Sequence, residues 1–129
     1  MKYLSAEQIL FIHARLIDET GGAHGVLDIG LLQSAVARPK ATFEGNELYP
    51  DIFSKTVALM ESLAKNHPFL DGNQRTAATS TGIFLGINGF RLEASQKELV
   101  RFALDMAVGK LPSEEALVWL KNHVSQEKK

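Results

Sequence analysis

Residues 66–77 read NHPFLDGNQRTA and join two helical patterns through a turn dense in polar groups. Pro68 disfavours the α conformation at His67, so the helix arriving from Asp51 is expected to end near Asn66. A second helix is expected to start around Asn73. Its first N–H groups, near residues 73–76, lack intrahelical acceptors and point into the turn. The positive end of the helix dipole lies there as well, so the turn favours an anion before any side chain is counted. Gly72 has no Cβ to block a phosphate, and it supplies the positive φ that a nest of successive N–H groups needs.

On either side of this turn the chain reads as helices. Ser5 and Gln8 have capping-box spacing, and Ile9, Ile12, Leu16 and Ile17 follow at helical period until Gly21-Gly22. Asp28 is expected to cap a shorter helix carrying Leu31, Leu32, Ala35 and Val36, stopped by Arg38-Pro39. Residues 39–50, PKATFEGNELYP, show no helical period and read as an extended flap, with a short hairpin around Glu44-Gly45-Asn46. From Asp51 the residues Ile52, Phe53, Val57, Met60, Leu63 and Ala64 share one helical face. After the turn, Ala77, Ser80, Ile83, Phe84 and Ile87 lead to an Asn88-Gly89 stop, and the small residues between Thr76 and Thr81 suit a central, crowded helix. Phe90 to Glu93 alternates as a short strand. A second capping box, Ser95 with Glu98, precedes Leu99, Phe102, Ala103 and Met106. Pro112 and Ser113 open a last helix with Leu117, Trp119 or Leu120, and Val124, and residues 125–129 are expected to fray. The expected fold is all-α, one compact domain over residues 1–129.

The composition excludes several functions. With Lys+Arg 14, Asp+Glu 15 and net charge −1, the chain of 129 residues has no footprint for diffuse nucleic-acid or anionic-membrane binding. The absence of cysteine excludes disulfides and thiolate chemistry and suits a reducing cytoplasm. The N-terminal run is interrupted by polar residues, unlike a signal peptide. No stretch approaches the ~18–20 apolar residues of a membrane span. His13, His24 and His123 have no ligand-like spacing, and there is no Walker A, His-Glu-x-x-His or Gly-x-Ser-x-Gly sequence. Trp119 reads as a packing residue, and Asp28, Arg38 and Glu47 read as capping or solvated.

The side chains of the turn suggest a reaction. Arg75 offers a planar fork suited to phosphate, and Asn73 can donate to another oxygen. Asp71 would repel a bare phosphate but belongs there with Mg²⁺ between them, since Mg²⁺ is held by one or two carboxylates plus nucleotide phosphates. Histidine is the side chain that exchanges a proton near neutral pH, so His67 can accept one from a hydroxyl. Base, metal ligand and phosphate cradle describe phosphoryl or nucleotidyl transfer to a hydroxyl. Taken singly, each residue also fits a plain helix–turn–helix corner, with Phe69 a wedge between the helices.

The stretch HPFLDGNQR resembles the Fic/Doc family signature His-Pro-Phe-x-(Asp/Glu)-Gly-Asn-x-Arg. GGAHGVLDIGLLQSAVARP and PKATFEGNELYP resemble the death-on-curing (Doc) toxin branch, and the likeness covers roughly residues 3–125. It implies a compact helical fold, ATP with Mg²⁺, and modification of a protein hydroxyl. It implies His67 as the base, Asp71 as the Mg²⁺ ligand, and Gly72, Asn73, Gln74 and Arg75 as the phosphate-binding segment. It also implies a flap, here Phe43, Glu44, Gly45, Asn46 and Leu48, that pairs with the target's backbone. Adenylylating members have Gly where Gln74 stands and a second Arg where Ala78 stands. Their absence resembles the Doc branch, which carries Lys at the first of these positions and transfers the γ-phosphate. An inhibitory (Ser/Thr)-x-x-x-Glu-(Gly/Asn) motif is missing, because Lys40 lies four residues before Glu44-Gly45. The resemblance therefore implies a separate antitoxin, and elongation factor Tu as the translation factor attacked. Competing readings are AMP transfer, a non-catalytic peptide-binding module and, more distantly, a helix-turn-helix DNA reader.

Overall fold

Ser5 Oγ accepts the Gln8 N–H while the Gln8 side chain accepts the Ser5 N–H, and this reciprocal cap starts α1, Ala6–Thr20. The computed structural model describes residues 1–127. Asp28 accepts the Leu31 N–H and starts α2, Ile29–Ala37; Pro39 then sits in a single 3₁₀ turn, Arg38–Lys40. The flap is a hairpin of β1, Thr42–Phe43, and β2, Asn46–Glu47. Glu44 (φ 52°) and Gly45 (φ 81°) form its two-residue turn, both in the left-handed region that matches the twist of paired strands.

Asp51 and Ser54 cap each other at the start of α3, Ile52–Asn66. Its residues from Lys55 to Ala64 are all buried, not only the expected face. A helix buried all round is the centre of its domain. α4, Asn73–Ile87, packs on it through Thr76, Ala77, Ala78, Ser80 and Thr81, small side chains that let two helices approach closely. Ile83 and Ile87, expected to face inward, are partly exposed on α4's outer side.

The chain continues through β3, Phe90–Leu92, then α5, Gln96–Ala107, which the Ser95–Glu98 box caps as expected, and α6, Ser113–His123. Val124 belongs to no helix, and residues 125–126 are not frayed. Val124–Gln126 forms β4, antiparallel to β3 with Arg91 opposite Ser125. Pairing gives these main-chain groups partners that a loose end would leave to water. Lys128 and Lys129 of the expected tail lie outside the described residues. The fold is mostly helical, with two small strand pairs. Among the described residues no helix is long and apolar enough to cross a membrane.

Two buried ionic groups brace the flap against α3. Lys55, only 2 % exposed, donates to the Pro39 carbonyl (3.1 Å) and to Glu47 (2.8 Å). Arg38 donates to Glu61 (2.9 Å), Ser62 and Tyr49, and Ser113 donates to the other Glu61 oxygen. Burial alone would raise the Glu61 pKa. The Ser113 and Arg38 hydrogen bonds outweigh it and hold the carboxyl below its ordinary value. A lowered folded-state pKa adds stability that is present above the unfolded value and lost as pH falls through the folded one. Glu61→Gln is therefore expected to destabilise the fold by about 1–3 kcal/mol at pH 7, because Arg38 loses a charged acceptor. The loss should shrink on acidification below about pH 4, where the wild-type carboxylate also protonates. Urea titrations across pH check both the size and the trend.

Candidate active site

Pro68 keeps His67 out of the right-handed helix, but His67 is not extended, the conformation a residue before proline ordinarily takes. His67 closes α3 in the left-handed region (φ 49°, ψ 58°), which takes its side chain off the helix track and leaves it exposed. Its imidazole has no hydrogen bond among the described residues. Phe69 is buried as the expected wedge, its ring parallel to that of His13 at 3.8 Å. Gly72 caps α4 at φ 77°. A Cβ there would lie 3.1 Å from Ile17 Cδ1, so close packing on α1 needs this glycine as well as its φ.

Asn73 turns its side chain into the corner itself. Its amide accepts the Phe69 N–H (3.0 Å) and donates to the Phe69 carbonyl (2.9 Å), and the side chain is buried. It shapes the turn, so what it offers an anion is its main-chain N–H. The N–H groups of Asn73, Gln74 and Arg75 have no acceptor among the described residues; the first helical bond runs from Thr76 to Gly72. Three free donors at a helix start remain available to a phosphate. Gln74 is half-buried, with no side-chain hydrogen bond among the described residues.

Residues 21–28 sheathe the turn, an arrangement that the sequence pattern does not announce. Leu70 donates to the Gly25 carbonyl, Leu27 donates to that of Pro68, and Val26 bridges Phe69. The Ala23 N–H binds Asp71 Oδ2 (3.2 Å) while the Gly72 N–H binds Oδ1 (2.8 Å). These two donors, helped by Arg75 with its nearest nitrogen at 3.7 Å, hold the half-exposed Asp71 carboxyl below its ordinary pKa. Arg75 donates to Thr20 Oγ1 and the Gly21 carbonyl, so its fork is braced by the end of α1 instead of being free in solvent.

His13 carries a sequence signal that its spacing from the other histidines does not convey. It occupies the Ile9, His13, Ile17 stripe, a polar side chain on a buried helical face. The flap residues sit apart from the turn. Phe43 is 65 % and Leu48 52 % exposed, the hairpin is anchored on the first half of α3, and no hydrogen bond joins it to the turn among the described residues. Nor do three or more His, Cys, Asp or Glu residues converge as a metal cluster among the described residues. A single ionised carboxylate beside free N–H donors fits a Mg²⁺ ion that takes its other oxygens from water and a nucleotide.

The sequence model of the Fic/DOC family matches residues 3–85, which include the turn and its sheath. Over 93 residues, 72% of this chain and 69% of the relative, the sequence is 45% identical to Toxin Doc of Mycolicibacterium smegmatis. Over 111 residues, 86% of each chain, it is 30% identical to Protein kinase doc of Escherichia phage P1. The matched span, the helical architecture and the sheathed turn together lead to one assignment: the chain belongs to the Fic/DOC family.

Proposed function

We propose that this chain is the toxin of a toxin–antitoxin pair, and that it transfers the γ-phosphate of ATP to a threonine or serine hydroxyl of a translation factor. One juxtaposition carries the reading. An exposed, unbonded imidazole at His67 closes the helix that leads into a turn holding free N–H donors and an ionised carboxylate. His67 accepts the proton of the attacking hydroxyl. The N–H groups of residues 73–75 bind phosphate oxygens, with Gly72 permitting their approach and Arg75 adding positive charge. Asp71 would hold Mg²⁺, which would supply neutralisation of phosphate charge.

Ala78, where an adenylylating relative would carry a second arginine, is fully buried. That position offers no second fork for far phosphates, which supports phosphoryl over AMP transfer. The names Toxin Doc and Protein kinase doc support the same reading. The outer edges of the exposed hairpin, with Phe43, Glu44, Gly45, Asn46 and Leu48, suit strand addition by the target. A separate antitoxin restrains the enzyme, since no inhibitory motif lies within the chain, and the setting is cytoplasmic. Elongation factor Tu is the target that the resemblance implies.

The test mixes purified protein, a cell extract, Mg²⁺ and ATP labelled at the γ-phosphate, then identifies the labelled species. Label on a threonine or serine of a translation factor supports the proposal. Label on nucleic acid, or no label while a partner still binds, contradicts it.

The sheath makes a further prediction. A Cβ on Gly22 would lie 2.5 Å from Asp71 Oδ2 and 3.2 Å from an Arg75 nitrogen, at a φ of 118° that L residues avoid. Gly22→Ala is expected to displace the carboxylate and lower label transfer by up to about 10²-fold, the scale of a 1 Å misplacement. Initial rates at saturating Mg²⁺ measure it.

A further inference from the structure

We propose that His13 is a positioning residue of the nucleotide site, locking the Asp71–Gly72 peptide so that the start of α4 presents N–H groups to the phosphates. The inference rests on the nucleotide reading of the turn. His13 is almost wholly buried on α1, where a polar ring is stabilised only if hydrogen-bonded. Its Nε2 lies 2.8 Å from the Asp71 carbonyl oxygen. A carbonyl only accepts, so Nε2 carries the proton. The stack on Phe69 fixes the ring in that orientation.

The lock matters because the locked peptide leads directly into the start of α4. A peptide is planar and trans, so its C=O and N–H point in opposite directions. Holding the Asp71 carbonyl toward α1 sets the Gly72 N–H on the far side, where it meets Asp71 Oδ1. Gly72, at φ 77° and without Cβ, would let this peptide turn over at little steric cost. The reversed peptide would turn its oxygen toward the Asp71 carboxylate and the phosphate site beside it, in place of the N–H that now meets Oδ1. Other bonds hold the neighbouring groups: Asn73 holds the Phe69 main chain, Gly25 holds the Leu70 N–H, and Ala23 holds the Asp71 carboxylate. Among the described residues, only His13 binds the Asp71 carbonyl.

His13→Leu removes the donor, whereas His13→Gln keeps one near the place of Nε2. With MgATP as the probe, the Leu variant is expected to bind about ten-fold or more weakly, and Gln to recover to within about three-fold of wild type. The KM for ATP should rise more than kcat falls. In the ligand-free protein the Gly72 amide resonance should shift or broaden in the Leu variant and stay near its wild-type place in the Gln variant. Should His13→Leu not fold, His13→Asn, whose shorter amide falls short of Asp71, takes its place. A folded Leu or Asn variant with wild-type affinity and an unmoved Gly72 resonance would overturn the inference. So would equal weakening in Gln and Leu, because His13 would then serve packing alone. Wild type that binds no MgATP would instead overturn the nucleotide reading, and this inference with it.

Discussion

His67→Ala is expected to lower transfer to the target by about 10²–10⁴-fold, the usual contribution of a positioned general base. The substitution should cost little stability. His67 is exposed and has no hydrogen-bond partner among the described residues, so no buried group loses an acceptor. The left-handed conformation at φ 49° costs an L residue about 1–2 kcal/mol, most of which the wild-type histidine already bears. His67→Asn separates the two effects, because Asn tolerates that conformation but is no base at neutral pH. Both variants should melt within a few degrees of wild type, lose growth inhibition on expression, and still bind MgATP. A fully active Asn variant would remove His67 from the chemistry.

Asp71→Ala should be nearly as damaging, lowering transfer on the order of 10²–10³-fold through lost charge stabilisation at the phosphates. Alanine also frees the Ala23 and Gly72 N–H groups that now bind the carboxylate, so part of the loss would come from a loosened sheath. Asp71→Asn again divides the causes. Its amide oxygen can still accept one of these bonds, but the negative charge is gone. The Asn variant is expected to keep the fold and lose the Mg²⁺ response, which a metal titration of the initial rate reads directly. Activity of the Asn variant that still rises with Mg²⁺ as in wild type would show that another group binds the metal.

What could be read from the sequence was local. Ser5 with Gln8, Ser95 with Glu98, and Asp28 all stand within a turn of the N–H groups they cap, so their spacing carries the information. Pro68 ends α3 through a clash with its immediate neighbour, and Glu44-Gly45 turns the flap within two residues. What stayed hidden was long-range. The sheath of residues 21–28 holds the turn through main-chain bonds, which leave no trace in side-chain pattern. Arg75 finds Thr20, and β4 finds β3, across long stretches of chain. Two further features are visible in the sequence. His13 interrupts an apolar stripe, which marks a buried polar group needing a partner. Asn73 lies one helical turn from Phe69, close enough for its amide to close the turn on itself.

In the proposed reaction the α3–α4 turn moves a phosphoryl group from a nucleotide to a protein hydroxyl. The most direct measurement incubates wild type and His67→Asn with an extract, Mg²⁺ and ATP carrying label at either the α or the γ position. Protein-bound label from γ alone, present with wild type and lost with His67→Asn, is the expected result. Label from the α position would mean AMP transfer, and γ label undiminished in the variant would place the chemistry outside this turn.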